Sequence, residues 1–200
     1  MKPRPKKRRV LAALHAIKRV VSPKKRRPKQ PEPRAARTVR HHPRIVRPTL
    51  SDHLGVMTRA VFQAGLSWAV IDAQWARLCD AFDGFDPTTV AAYDQVEIDR
   101  VMGHPDIVHS ERKIRATIDN ARTLLALDRE HKGVYNYLRS HKTYPALALD
   151  LKRRFKYLGD VSAYYYVFRV GERVPPFARW IKTVKGDHPR VREMVNGSKT

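Results

Sequence analysis

The chain has 200 residues, one cysteine and a formal charge of +22, from 41 Lys and Arg against 19 Asp and Glu. That length allows one or two domains, and the lone Cys79 excludes an intramolecular disulfide and makes a reducing interior the simplest compartment. No window approaches the roughly eighteen uninterrupted apolar residues of a membrane span, so no membrane association through a spanning helix is expected.

The charge is concentrated at the N-terminus. Residues 1–50 hold eighteen Lys or Arg against a single acid, Glu32, and so carry +17 of the +22. The same segment has eight of the fourteen prolines and no aromatic residue. It cannot bury enough apolar surface to offset the entropy of ordering it, and a disordered basic tail is expected over 1–48. Two clusters stand eighteen positions apart, Lys6-Lys7-Arg8-Arg9 and Lys24-Lys25-Arg26-Arg27, each preceded by proline. Between them Val10, Leu14, Ile17 and Val21 have helical spacing. Such a tail releases counterions when it lies along a polyanion, and duplex DNA is the favoured partner. A solvated solubility tail is the alternative, and anionic lipid and a nuclear-import signal are weaker ones. With no long apolar core or small-residue cleavage site, a secretory signal is not expected; the cytoplasm, in association with the nucleoid, is.

From Asp52 onward the pattern is helical and nothing alternates with period two. A helix is predicted over 52–64, with Leu54, Met57, Val61 and Ala64 on one stripe and Gly65 closing it. A second begins at Trp68, carries Val70, Ile71, Trp75, Leu78, Cys79 and Phe82, and stops near Gly84. Asp86-Pro87 reads as N-cap and first helical residue of a short helix to Tyr93, and Asp94 as the cap of another that ends before Gly103. Ser110 is the expected cap of a long helix to about Glu130, with Ile114, Ile118, Ala121, Leu124 and Leu125 inward and Arg112, Lys113, Arg115 and Arg122 outward. Two further helices, 144–154 and 160–170, flank a glycine turn, and a flexible tail is expected from residue 186. The 49–185 region is thus a single all-α domain, long enough to hold a core without metal or disulfide.

In the turn, Lys152-Arg153-Arg154-Phe155-Lys156-Tyr157-Leu158-Gly159-Asp160, the glycine is expected where a Cβ would clash, with Asp160 opening the next helix. Free amides and the helix dipole at that N-terminus can hold a phosphate, surrounded by Lys152, Arg153, Arg154 and Lys156. An ordinary αα-hairpin, with Asp160 as N-cap and Phe155, Tyr157 and Leu158 in the core, accounts for the same residues.

The string Gln63-Ala64-Gly65-Leu66-Ser67-Trp68, the Lys113-Ile114 pair after the 104–110 loop, and Phe155–Gly159 followed by Ala163-Tyr164 resemble the DNA-3-methyladenine glycosylase I family over about residues 56–170. The resemblance implies a helix-hairpin-helix DNA glycosylase fold and hydrolysis of the N-glycosidic bond of an alkylated purine. It assigns Trp68, Gln63 and Tyr164 to a base pocket and Lys113, Gly159 and the hairpin cations to DNA. A base inside a duplex must be extruded before an enzyme can reach it, and an aromatic wall attracts a cationic methylated purine. For Trp68 the stacking and core readings both stand; Trp75 and Trp180 read as structural. No cofactor is implied, and a monomer is expected.

Two parts of the family pattern are missing. The base-reading glutamate falls on Ala60, and the family's zinc site of two Cys and two His has no counterpart in a chain with one cysteine. Asp52, read first as a helix cap, and Asp72, read first as a solvated helix residue, are the acids nearest the motif. His41, His42 and His53 are alternatives at the pocket mouth or against phosphate. The loss of the carboxylate also leaves open a catalytically silent DNA-binding or architectural protein.

Overall fold

The computed structural model describes residues 43–184, and the tail clusters, His41 and His42 lie outside them. Among the described residues the fold is all-α. Nine helices follow in order: α1 Leu50–Gln63, α2 Trp68–Ala81, α3 Pro87–Ala91, α4 Gln95–Met102, α5 Glu111–Glu130, α6 Val134–Ser140, α7 Tyr144–Arg154, α8 Asp160–Arg169 and α9 Phe177–Trp180, with single 3₁₀ turns at Asp83–Phe85 and Ile181–Thr183.

α1 is the central helix, and residues 53–58 and 60–62 are all buried. A helix covered on nearly every side needs neighbours on nearly every side. α5 and α8 pack along it, α3 lies against α5, and α7 pairs with α8. Leu54, Met57, Val61 and Phe62 meet Ile71, Leu78, Phe82, Ile114 and Leu124 in one core, all with no exposed surface. A second cluster at the C-terminal end stacks Tyr164 on Trp180, centroids 3.9 Å apart.

Local chemistry starts and stops these helices. Thr49, not Asp52, is the N-cap of α1. Its hydroxyl accepts from the Asp52 amide while the Asp52 carboxylate accepts from the Thr49 amide at 2.9 Å, a reciprocal capping box. Asp86-Pro87 opens α3 as the sequence predicts, and the Asp94 side chain caps α4. Ser110 has the backbone of an N-cap for α5 but makes no side-chain cap bond. α6 escapes the sequence reading because its start is set from a distance: the Asp128 carboxylate, on α5, accepts from the Val134 amide at 2.9 Å. The chain already packs on α8 at residues 43–45, ahead of the expected start of the domain. The Ile45 amide donates to the Arg169 carbonyl at 2.8 Å, and Arg44 lies over the Phe168 ring.

His53 departs furthest from expectation. It lies not at a pocket mouth but in the core, with no exposed surface, its Nδ1 2.7 Å from the Tyr166 hydroxyl. Burial pushes its imidazole down to about 4 and the Tyr166 phenol well above its ordinary range.

Candidate functional site

α1 ends in a tight turn. Gly65 sits at φ +82°, a left-handed conformation that side chains resist, and the Leu66 amide closes the turn on the Gln63 carbonyl at 2.9 Å. The Gln63 amide Nε2 donates to the Leu66 carbonyl at 3.3 Å, so its side chain braces the turn from within. Ser67 then caps α2, and Trp68 is the first helical residue. Its half-buried ring meets Tyr165 of α8, centroids 4.9 Å apart and planes tilted by 52°.

Tyr164, the tyrosine assigned by resemblance, points away from this turn. It stacks on Trp180, donates its hydroxyl to the Pro175 carbonyl at 2.9 Å and belongs to the second cluster. Successive residues of a helix are turned by about 100°, so only one of the neighbouring tyrosines can face α2. Tyr165 does so, while Tyr166 turns to His53. Burial pushes the Tyr165 phenol up to about 12.

Ala60 is buried one turn before this end of α1. Its neighbour Arg59 forms an ion pair with Asp72 of α2, and its guanidinium carbon lies over Trp75, 3.8 Å from the ring centre. Asp72 is therefore not a solvated helix residue; its side chain is 8% exposed. Asp52, by contrast, is engaged in the α1 capping box. The Arg169 guanidinium completes this neighbourhood, 6.0 Å from the Tyr165 ring centre.

Lys113, expected to face outward toward DNA, turns inward. Its ammonium donates to the carbonyls of Phe62 and Ala64, both at 2.8 Å, and so satisfies two acceptors at the C-terminal end of α1. Burial lowers its pKa.

The hairpin joins α7 and α8. Gly159 is the N-cap of α8 at φ −72°, ψ −176°, ordinary extended backbone, and a Cβ built there meets nothing within 4 Å. The expected steric clash is absent. The left-handed residue of the hairpin is Tyr157, at φ +59°. Asp160 follows as the first helical residue rather than the cap, and α8 has no side-chain cap at its N-terminus. Asn120 of α5, 1% exposed, fixes the hairpin from beneath: its Oδ1 accepts from the Lys156 amide at 2.7 Å and its Nδ2 donates to the Lys156 carbonyl at 3.1 Å.

Of the four hairpin cations, Lys152 pairs with Asp160 at 2.7 Å and Arg154 with Asp150 at 3.0 Å. Arg153 and Lys156 are exposed and make no ion pair among the described residues. Exposed pairs exchange partners at little cost, so all four remain usable by a polyanion. Beside the hairpin a groove of about 810 Å³ runs between Arg112, Arg115, Lys156 and Tyr157.

Residues 51–154, just over half of the chain, match the methyladenine glycosylase family model. The chain belongs to that family. It is 26% identical over 130 residues to DNA-3-methyladenine glycosylase of Haemophilus influenzae and, over an equal length, to DNA-3-methyladenine glycosylase 1 of Escherichia coli K12. Each alignment covers 54% of this chain and 70% of the relative. The structure of 3-methyladenine DNA glycosylase I from Staphylococcus aureus superposes with a TM-score of 0.54 at 26% identity, over 60% of this chain and 76% of that one. The family's all-α fold is thus present.

The zinc site that the resemblance brings with it does not fit these residues. It needs two cysteine thiolates; the chain has one cysteine, Cys79, and burial pushes its thiol up, away from the ionised form that zinc binds. Among the described residues no helix is long and apolar enough to cross a membrane.

Proposed function

We propose that this protein is a DNA glycosylase of base-excision repair that binds duplex DNA as a monomer, extrudes an alkylated purine such as 3-methyladenine and hydrolyses its N-glycosidic bond. The reading rests above all on the Trp68–Tyr165 pair, held at the end of the Gln63–Trp68 turn in a chain of this family. A half-buried tryptophan ring backed by the buried Tyr165 ring gives an unstacked base something to lie against, and a base that carries a positive charge gains further from it.

The chemistry asks little of a proton donor. A purine methylated at N3 is already cationic, so when the bond from C1′ of the sugar breaks, the electron pair passes to the base nitrogen and the base leaves neutral. Water adds its oxygen to C1′ and loses a proton to solvent. Position and electrostatics can therefore supply much of the rate. In this reading the uncapped amides of α8, with Arg153 and Lys156 beside them, hold a backbone phosphate, and the basic clusters Lys6–Arg9 and Lys24–Arg27 prolong residence on the duplex.

Ala60 favours a second reading, a DNA-binding protein that no longer cleaves. Release of free base from methylated duplex under single-turnover conditions separates the two. The glycosylase reading expects 3-methyladenine among the soluble products, and Trp68→Ala should abolish its release while duplex affinity stays within about threefold, because stacking acts on the extruded base alone. Tight duplex binding without base release would favour the silent protein.

A further inference from the structure

We propose that Arg112, and not Lys113, is the α5 cation that meets DNA, in a groove that takes the backbone of the strand gripped at α8. The inference rests on the duplex-binding half of the reading above and on no chemistry at the base. Adjacent positions on a helix point about 100° apart, so when Lys113 turns to the end of α1, Arg112 is directed elsewhere. It is exposed and lies over the Tyr157 ring of the hairpin, 5.6 Å from the ring centre. The groove of about 810 Å³ runs there, with Arg112, Arg115 and Asp119 contributed by α5 and Lys156 and Tyr157 by the hairpin.

Not all of the charges in the groove are available. Arg115 is matched by Glu111 at 2.6 Å and reaches Gln95 at 2.7 Å. The side chains of Arg112, Lys156 and Asp119 form no ion pair or hydrogen bond among the described residues. Two unmatched cations against one unmatched carboxylate leave the groove positive, the sign a phosphate needs. The Tyr157 ring gives the Arg112 guanidinium a preferred place without neutralising it, as an acidic partner would. Tyr157 is held in turn. It bears the left-handed angle of the hairpin and follows directly on Lys156, whose amide and carbonyl are both bonded to Asn120. A planar fork thus faces the groove, where it can take both free oxygens of a phosphodiester, while the flexible ammonium of Lys156 supplies a point charge beside it. Lys156 also stands just before the uncapped amides of α8, so the groove continues the phosphate site proposed there. Asp119 acts with the opposite sign, since an unmatched carboxylate in the same groove repels phosphate.

The test measures the affinity of the full chain for undamaged duplex DNA by fluorescence anisotropy over a range of salt, with Arg129→Gln as the control for a change in overall charge. Arg129 is an exposed cation of the same helix, seventeen residues beyond Arg112 and outside the groove. Arg112→Gln should weaken binding by about fivefold and lower the salt slope by about one, the mark of one lost phosphate contact. Arg112→Lys keeps the charge without the fork, and should recover the slope but only part of the affinity. Asp119→Asn should tighten binding by about threefold. Arg129→Gln should change it by less than about 1.5-fold, because a charge so far from the contact is screened. Effects of Arg112→Gln and Asp119→Asn no larger than that of Arg129→Gln would express net charge alone and overturn the assignment. Unmoved affinities alongside intact release of 3-methyladenine would sink the groove and spare the glycosylase reading. The expected shifts in a protein that releases no base would do the reverse.

Discussion

The aromatic turn after α1 and the hairpin before α8 are both loops at helix ends, and both are fastened by a polar side chain from α5, yet in opposite ways. Lys113 brings a charge to two carbonyls at a helix C-terminus, where the dipole welcomes it. Asn120 brings a neutral amide that mimics a strand neighbour, one bond given and one received at Lys156. The first device leaves a turn of fixed carbonyls beneath a tryptophan. The second leaves amides and cations facing solvent at the start of α8. A site for a flat base and a site for a phosphate require these two surfaces, and the same helix underlies both.

The largest expected effect tests the joint between the two regions. His53 on α1 bonds to Tyr166 on α8, so it ties the helix that leads into the aromatic turn to the helix that leaves the hairpin. Its folded pKa, about 4, lies below its unfolded value of 6.5. Protons therefore favour the unfolded chain, and the stability this residue contributes is complete above pH 6.5 and disappears as pH falls through 4. The full difference is about 3 kcal/mol. Urea melts at pH 7, 5.5 and 4 should show the loss, and His53→Asn should flatten it; an equal slope in that variant would place the acid sensitivity elsewhere.

Asn120→Ala separates the regions next. It removes both side-chain partners of the part-buried N–H and C=O of Lys156, at a cost of about 2 kcal/mol, and should raise hydrogen exchange in the hairpin while the amides of residues 65–68 keep their protection. Faster exchange at both would mean that the two fastenings act as one. The smallest effect on stability belongs to Gly159→Ala. With ordinary backbone angles and open space at the Cβ, the melting free energy should change by less than about 0.5 kcal/mol. Duplex affinity should fall, because the added methyl occupies the approach to the α8 amides. An unchanged affinity would take those amides out of the interface.

Reading the chain as a sequence locates the helices well where their signals are local. Asp86-Pro87, Asp94 and the Gly65 turn all act where they stand in the chain, and the all-α fold follows from them. The site is less legible because its decisive contacts cross the fold. Three consecutive tyrosines give no sign of which will meet Trp68; the rotation of α8 against α1 decides for Tyr165. Asp72 looks like a solvated acid until Arg59, thirteen positions earlier, is brought over it. Lys113 sits in a run of basic residues, and only the arrival of α1's C-terminus beside α5 distinguishes it from Arg112. Gly159 misleads in the other direction: a glycine at a turn suggests a positive φ, whereas Tyr157 bears that angle.

Lys113 and Asn120 are seven residues apart in α5, two helical turns on one stripe. At about 1.5 Å per residue their anchors are separated along the axis by about 10.5 Å, a length set by backbone hydrogen bonds rather than by either loop. α5 therefore works as a ruler between the place where a base would rest and the place where its strand would be gripped. A residue inserted between positions 113 and 120 would turn one anchor about 100° from the other, and the two surfaces would fall out of register with both intact.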